Sequence, residues 1–353
     1  MDKLLLVDGS SLLTTSFFGT APLEYQKAKT EEEIIEAKSK LMQVNGVYTN
    51  GVYAMVDKLM KIIKHQSPTH LAVAWDISRD TFRREIFPAY KANRSETRAE
   101  LKSQFPLAQE VLCEMGIPQF LCPGYEADDI IGTFSKSFES QVPVYILTKD
   151  RDALQLVSER VRLWLMTSKA EEMYKEVGLN SKDFNLPDKV FEFSPHYVEE
   201  FCGVKPVQII DKKALEGDKS DNIPGVKGVG EASAVPLLRE FETVEGIYEF
   251  VEQSDEVTVK EVIKSLGIKR SPVKLLLKHS ENELVGKQAA FISKKLATIR
   301  ADLDLIEQVM LKSTTPIKMN ELKLENLKLH INEEGKRRIF ERLSFDSLLK
   351  KSA

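Results

Sequence analysis

Three apolar runs of this chain each stop at an aspartate, and this pattern does most to limit how the chain can fold. The runs lead to Asp8, Asp76 and Asp150, and Asp152 follows two residues later. Continuous apolar runs that alternate with helical patterns are typical of a parallel sheet with helices on both faces. Because ligand crevices in such sheets lie at the carboxyl ends of the strands, the sequence predicts that these acids converge on one edge.

A further group of acids lies between residues 124 and 131, where Glu126, Asp128 and Asp129 follow a Pro-Gly turn and precede an apolar helical run. Acids favour helix N-termini on electrostatic grounds, so this stretch alone is equally consistent with ordinary capping. Its combination with the strand-end aspartates favours a functional interpretation. Converging carboxylates repel one another and lose hydration, so either some are protonated or cations lie among them. Hard divalent ions with oxygen ligands, Mg²⁺ in particular, are the simplest resolution.

Composition narrows the class of protein. The 353 residues are 42% hydrophobic and 29% charged, which is typical of a globular chain large enough for two parts. No apolar run approaches membrane-spanning length, and the chain enters a strand at once, so we expect a cytoplasmic protein with no signal peptide and no membrane association. Cys113, Cys122 and Cys202 are isolated in apolar surroundings, which indicates core packing rather than disulfides or a zinc site.

A locally basic segment follows Asp76. Residues 79 to 102 contain seven basic and four acidic residues interleaved with aromatic side chains, although the whole chain has a net charge of −4. A pair of solvated charged helices is one interpretation. The position of the segment directly after an acidic strand end favours another, in which cations and aromatic rings grip a phosphate backbone and stack bases.

A glycine-rich stretch lies between two predicted helices at residues 217 to 231. Its GxxGxG spacing is neither the dinucleotide fingerprint nor a P-loop. Glycines in a tight hairpin leave backbone N–H groups free at a helix N-terminus, which suits a phosphate; a plain turn between helices is the alternative. Asp218 and Asp221 lie just ahead, and with Asp150 and Asp152 they would form a second carboxylate group.

Seven motifs together carry a family resemblance. They are LLLVDG (4–9), WD (75–76), FR (82–83), YKANR (90–94), PGYEADD (123–129), ILTKDRD (146–152) and GDKSDNIPGVKGVGE (217–231). Each is weak alone, but their order over residues 3 to 240 is highly specific. The chain resembles the 5′ nuclease family, which includes flap endonucleases and the 5′ nuclease domain at the front of bacterial DNA polymerase I, and we interpret it as a stand-alone bacterial member.

The resemblance implies a role for each matching residue. The acids matching those around a first metal are Asp8, Asp76, Glu126, Asp128 and Asp129, and those around a second are Asp150, Asp152, Asp218 and Asp221. The residues matching catalytic positions are Lys91, Arg94, Arg83 and Asp128. Those matching DNA contacts are Arg79, Arg84, Tyr90, Lys227, Gly225, Gly228 and Gly230, while Val226 and Val229 match a site for a monovalent cation, usually K⁺.

The resemblance also implies the organisation of the chain. We expect an α/β domain over residues 1–190, with a mostly parallel central sheet, helices on both faces and a helical arch at about 79–102. A helix-hairpin-helix subdomain over 191–310 and a helical tail over 311–353, packed back on the nuclease, would follow. Residues 22–44 are interpreted as an exposed helix or lid, with disorder as the alternative, and residues 168–190 as an irregular connection.

The implied activity is structure-specific hydrolysis of DNA phosphodiester bonds at 5′ flaps, nicks or 5′ ends by a monomeric protein, in replication or repair. It would use two Mg²⁺ ions, for which Mn²⁺ may substitute, and K⁺ at the hairpin. An RNase with a similar acid-lined site and a non-catalytic binder of DNA junctions are the alternatives. The chain departs from the family pattern at Thr14, Thr15, Ala232 and Pro236. Ala232 stands where relatives usually have a lysine, and Pro236 falls inside the second hairpin helix, so we expect a weaker grip on duplex DNA or a helix shortened at its start.

Overall fold

An eight-stranded sheet forms the centre of the computed structural model, which describes residues 2–352. The strands are β1 (Leu4–Asp8), β2 (Gln43–Val44), β3 (Val47–Tyr48), β4 (His70–Trp75), β5 (Gln119–Leu121), β6 (Val144–Thr148), β7 (Val161–Met166), β8 (Val190–Phe193), β9 (Leu305–Val309) and β10 (Thr314–Lys318). The sheet order is β10-β9-β5-β4-β1-β6-β7-β8, and β2 pairs only with β3. The strands from β5 to β7 in this order run parallel, while β8, β9 and β10 are antiparallel to their neighbours. The prediction of a mostly parallel sheet is confirmed.

Helices connect and follow these strands. They are α1 (Gly9–Thr20), α2 (Leu23–Lys27), α3 (Glu31–Lys38), α4 (Asn50–Gln66), α5 (Phe82–Ile86), α6 (Ala99–Lys102), α7 (Gln104–Glu114), α8 (Ala127–Phe138), α9 (Ala170–Glu176), α10 (Pro195–Cys202), α11 (Ile209–Glu216), α12 (Glu231–Phe241), α13 (Val244–Gln253), α14 (Glu256–Ser265), α15 (Val273–Leu276), α16 (Gly286–Ala297), α17 (Glu333–Arg342) and α18 (Asp346–Ser352). Short 3₁₀ helices span Arg151–Leu156, Ser181–Phe184, Pro206–Gln208 and Leu324–Leu327. Within residues 2–352, no helix is long and apolar enough to cross a membrane.

The central strands of the sheet are buried on both faces because they are apolar at most positions. In β1, Leu4 and Leu6 belong to one hydrophobic core, whereas Leu5 and Val7 belong to the other. Side chains of successive strand residues point to opposite faces, so a strand covered on both sides must be apolar throughout. Helix α8 contributes to the first core, and α1, α4 and α7 contribute to the second.

The strand ends lie side by side as the sequence predicts. Strand β1 lies between β4 and β6, and Asp8 pairs in register with Ala74, two residues before Asp76. Strand β6 ends at Thr148, two residues before Asp150. The parallel register therefore brings the three aspartates to the same edge of the sheet.

The expected helical arch is mostly irregular. Helix α5 has five residues and α6 has four, and turns and bends connect them. Helix α5 ends at Ile86, and the next residue, Phe87, has an extended backbone and immediately precedes Pro88. A residue that precedes proline is disfavoured in the helical region, which explains why the basic segment does not continue as a helix.

Three other regions can be compared with the sequence-based expectations. Residues 168–190 are not simply irregular, since they contain α9 and a 3₁₀ turn. Residues 22–44 contain two short helices, α2 and α3, in agreement with the helical interpretation and not with the alternative of disorder. The second hairpin helix is not shortened, because α12 begins at Glu231 and accommodates Pro236 in its interior.

The C-terminal region is not helical throughout. Strands β9 and β10 form a hairpin that extends the edge of the central sheet beside β5, which moves part of the expected helical region into the sheet. Helix α17 lies against α7, where Arg342 forms hydrogen bonds of 2.8 and 2.7 Å with Glu110. The ring of Phe345 contacts Tyr53 edge to face, with centroids 5.2 Å apart.

Candidate metal centre and nucleic-acid interface

Asp8 occupies the centre of the acidic edge. Its side chain is 6% exposed, and its two oxygens accept hydrogen bonds of 2.8 Å from the Ser11 N–H and from the Thr148 hydroxyl. Burial, with the negative charges of Asp76 and Asp150, raises the pKa of Asp8 to about 7, although both hydrogen bonds oppose this shift. The folded chain therefore holds a carboxylate among like charges, as the sequence predicts for this edge.

Asp128 faces the same group of acids from the start of α8. Burial and the charges of Asp150, Asp8 and Asp76 raise its pKa well above the ordinary value. Its Oδ1 atom is buried and finds no hydrogen-bond partner among the described residues. A buried carboxylate oxygen without a donor is costly, and a cation would satisfy it.

A second group of acids surrounds Lys213, a residue of α11 that the sequence analysis did not identify. Its ammonium group contacts Asp152 Oδ1 and lies 2.7 Å from Asp218 Oδ2. Burial and the charge of Asp150 raise the pKa of Asp152 to about 7 despite Lys213. At the less buried Asp218, hydrogen bonds from Lys213 and Ser220 outweigh burial and lower the pKa to about 2. The sequence does not reveal this contact, because Lys213 is an ordinary helical lysine five residues before Asp218.

The basic segment forms ion pairs with the acids. Lys91 Nζ is 2.8 Å from Glu126 Oε1 and 3.7 Å from Asp221 Oδ2. Arg94 is 2.5 Å from Asp221 Oδ1. Burial alone would lower the pKa of Lys91, but the charges of Glu126 and Asp221 raise it, so the ammonium group remains charged. These cations neutralise the acids that face them.

Tyr90 is not placed to stack on a nucleic-acid base, which corrects its expected role. It is 3% exposed, and its hydroxyl lies 3.2 Å from Glu126 Oε2 and 3.3 Å from Asp221 Oδ2. Burial and these two carboxylates raise the pKa of the phenol, which therefore stays protonated. The single proton of the hydroxyl can serve only one of the two acids at a time.

Arg83 and Asp129 form a buried structural pair, which corrects two further expectations. The guanidinium donates two hydrogen bonds of 2.8 Å to the Asp129 carboxylate and others to the carbonyl oxygens of Leu296 and Thr298. Asp129 also accepts from the Glu126 and Arg300 N–H groups. Arg83 is 2% exposed and Asp129 is fully buried, so neither is free to ligate a metal or to contact a substrate phosphate.

The hairpin glycines have different roles. The Gly225 N–H donates to the Ser293 hydroxyl at 2.9 Å, and a Cβ at this position would lie 2.2 Å from the Gly217 nitrogen. Gly225 is thus required for close backbone packing and offers no N–H to a phosphate, contrary to the expectation. Gly228 has a φ of +92°, which favours glycine, and Gly230 precedes the first residue of α12. These two positions remain compatible with phosphate binding at the helix N-terminus.

The remaining predicted contacts lie near the hairpin and the basic segment. Lys227 is exposed, whereas the side chains of Val226 and Val229 are buried, and the Val226 carbonyl accepts the Val229 N–H at 2.9 Å. Arg79 donates to the carbonyl oxygens of Arg94 and Ser95. Arg84 lies 3.7 Å from Asp80 in an exposed pair. Arg79 therefore supports the backbone of the basic segment.

The donors at the acidic edge suit a hard divalent cation in chemistry and charge. They are carboxylate oxygens. Burial and the neighbouring carboxylates raise the pKa values of Asp8 and Asp128, and Oδ1 of Asp128 is buried without a hydrogen-bond donor. In the part of the chain that the structure describes, no three His, Cys, Asp or Glu side chains are grouped closely enough to hold one ion. Mg²⁺ usually takes one or two carboxylates from a protein and completes its shell with waters and phosphate oxygens.

Two family models match the chain. Residues 3–182 match the 5′-3′ exonuclease N-terminal resolvase-like domain, and residues 204–320 match the 5′-3′ exonuclease C-terminal SAM fold. The first match covers strands β1 to β7 and the acids at the strand ends, and the second covers the helices around the glycine hairpin together with β9 and β10. The matches therefore agree with the prediction of an α/β part followed by a helical part. Strands β9 and β10 do not follow this pattern, because they lie within the second match but belong to the central sheet.

The similar proteins match most of this chain, but the matched region is a different share of each relative's own length. A 5′-3′ exonuclease of Halalkalibacterium halodurans is 35% identical over 319 residues, which are 89% of each chain. DNA polymerase I of Bacillus caldotenax is 36% identical over 301 residues, which are 85% of this chain but only 28% of the polymerase. The 5′-exonuclease of bacteriophage T5, solved with divalent zinc ions, has a similar fold, with a TM-score of 0.54 and 22% identity over 84% of this chain and 89% of the phage protein.

Replacement of Arg83 tests its structural role. In Arg83→Met, the Asp129 carboxylate stays buried without its partner, and we expect the free energy of unfolding to fall by about 3–5 kcal/mol. Urea unfolding measures this change. Arg84→Met is the matched control, because its exposed pair with Asp80 contributes at most about 1 kcal/mol. Equal stability of the two variants would contradict the structural assignment.

The raised pKa of Asp8 predicts a pH dependence of stability in EDTA. The folded chain holds this proton more tightly than the unfolded chain, so the contribution of Asp8 is fully present below about pH 4 and is lost as pH rises through about 7. The stability of Asp8→Asn relative to wild type should therefore increase between pH 4 and 7, as measured by urea unfolding at each pH. Exposed Asp183→Asn is the control, and a constant difference for Asp8→Asn would refute the shift.

Proposed function

Because the chain belongs to the 5′-3′ exonuclease family, we propose that it is a metal-dependent 5′ nuclease that hydrolyses phosphodiester bonds of DNA. The observation that carries this proposal is the convergence of Asp8, Asp76, Asp128 and Asp150 at one sheet edge, with a buried carboxylate oxygen that lacks a donor. An acidic edge of this kind repels nucleic acid unless cations lie between the two. Family membership and the charge distribution thus favour the same chemistry.

The acids would hold two Mg²⁺ ions, for which Mn²⁺ can substitute. Asp8, Asp76, Glu126 and Asp128 would hold the first ion, and Asp150, Asp152, Asp218 and Asp221 would hold the second. When bound, such ions lower the pKa of a water and neutralise charge on the phosphodiester. Asp129 is left out of this set because Arg83 and backbone N–H groups occupy its oxygens.

Lys91 and Arg94 would contact the scissile phosphate. In the structure, Lys91 is bound to Glu126 and Arg94 is bound to Asp221. Divalent ions that neutralise these acids would weaken those ion pairs and make both cations available to the phosphoryl oxygens. Fixed positive charge near those oxygens stabilises the charge that develops during hydrolysis.

Shape would determine the substrate. The basic segment would admit a single 5′ strand, while Gly228, Gly230 and Lys227 would contact a duplex backbone, with K⁺ bound by the Val226 and Val229 carbonyl groups. Phosphate contacts carry no base information. We therefore propose 5′ flaps, nicks and 5′ ends as substrates without sequence preference, bound by a monomer.

Cleavage of a labelled 5′-flap DNA tests this function. We expect product with Mg²⁺ and none in EDTA, and a single-turnover rate at least about 100-fold lower in Asp128→Asn, because one preorganised electrostatic contact commonly contributes this much. Exposed Asp183→Asn should match wild type. Cleavage that persists in EDTA would contradict metal dependence. Faster cleavage of the same flap made of RNA would contradict the DNA assignment.

A further inference from the structure

Three hydroxyl groups connect the strand ends that carry the acids. Thr148, at the end of β6, donates to Asp8 Oδ2 at 2.8 Å and accepts the Asp150 N–H at 3.0 Å. Its side chain is fully buried. The Thr148 hydroxyl therefore links the Asp8 carboxylate, at the end of β1, to the backbone of Asp150, which follows β6. A hydroxyl has one proton and two lone pairs, so Thr148 can donate its proton to Asp8 and accept the Asp150 N–H at the same time.

The two serines after Asp8 complete this arrangement, which we call the hydroxyl frame (Ser10, Ser11 and Thr148). The Ser10 hydroxyl accepts the N–H of Asp76 at 3.1 Å, and the Ser11 hydroxyl accepts the N–H of Lys149 at 2.9 Å. The Ser11 N–H in turn donates to Asp8 Oδ1. The first turn of α1 is thus hydrogen-bonded to the residues that follow both neighbouring strands, β4 and β6.

The hydroxyl frame acts against the repulsion within the cluster. Asp8, Asp76, Asp128 and Asp150 bring like charges to one edge of the sheet, so without a restraint these side chains would separate or turn toward water. Each oxygen of Asp8 receives one hydrogen bond and retains lone-pair capacity for a cation. Oriented ligands bind a metal more tightly because less order must be imposed on binding.

We propose that Thr148, with Ser10 and Ser11, is a positioning residue that holds the strand-end acids ready for divalent cations. This inference rests on the proposed function only for the identity of the cations. None of the three hydroxyl groups is assigned a contact with the substrate. Their effect is exerted through Asp8, Asp76 and Asp150.

Two substitutions at Thr148 separate the hydroxyl from the side-chain volume. Thr148→Val retains the branched shape that suits a strand but leaves Asp8 Oδ2 and the Asp150 N–H without their partner. Thr148→Ser retains the hydroxyl and loses one buried methyl group. A role in packing alone predicts that the serine variant is the more damaged, whereas a positioning role predicts the reverse for metal binding.

The decisive readout is Mn²⁺ affinity without DNA, measured by titration calorimetry on the full chain. Loss of a group that orients a ligand typically weakens metal binding about 10–100-fold. We expect Thr148→Val to bind Mn²⁺ at least about tenfold more weakly than wild type and Thr148→Ser to stay within about threefold. The Mg²⁺ concentration for half-maximal flap cleavage should shift by a similar factor, while affinity for the flap in EDTA stays unchanged.

Several outcomes would overturn the proposal. Wild-type affinity in Thr148→Val, equal losses in the two variants, or a wild-type chain that does not bind Mn²⁺ would each do so. Where Thr148→Val does not fold, Ser10→Ala replaces it, since Ser10 is only half-buried, and unchanged Mn²⁺ affinity there would refute the frame. Mn²⁺ binding that depends on Thr148 in a protein without nuclease activity would leave the frame standing and refute the proposed function.

Discussion

Electrostatic repulsion among carboxylates at one edge of the sheet is the constraint on which the rest of the structure depends. The parallel register of β4, β1 and β6 places Asp8, Asp76 and Asp150 side by side, and α8 adds Asp128. The chain offsets this repulsion in two ways. Some acids are protonated more readily than usual, and others are paired with cations from the basic segment and α11. Bound divalent cations would neutralise these carboxylates more strongly than protonation or the ion pairs do.

The same crowding explains why a buried ion pair stands beside the acids. Arg83 and Asp129 bind each other and the backbone at residues 296–300, which spans the end of α16 and the residues just after it. This contact ties the helical part of the chain to the sheet, next to the loop that carries Asp218 and Asp221. Separating a buried ion pair costs free energy because it leaves a charge without its partner. The pair therefore helps to fix the position of the helical part, with Asp218 and Asp221, relative to the acids at the strand ends.

The sequence predicted the sheet and the convergence of its acids because apolar strands that end in aspartate leave few alternatives. It could not separate Asp128 from Asp129, since neighbouring residues at a helix N-terminus face different surroundings and only the position of Arg83 shows which one is occupied. Tyr90 and Arg83 resembled surface contacts because burial is a tertiary property. Lys213 and Thr148 were missed because a lysine on a helix and a threonine in a strand are unremarkable in sequence. Strands β9 and β10 contain polar residues and a proline, which concealed their pairing.

Anomalous diffraction from crystals grown with Mn²⁺ tests most directly the claim that the acids are gathered to bind divalent ions. The account predicts Mn²⁺ peaks in contact with carboxylate oxygens of Asp8, Asp128 or Asp150, with Asp129 still bound to Arg83. It also predicts that Lys91 moves away from Glu126 when the ions bind. Crystals saturated with Mn²⁺ that show no peak at this edge, or acids that point to separate surfaces, would contradict it.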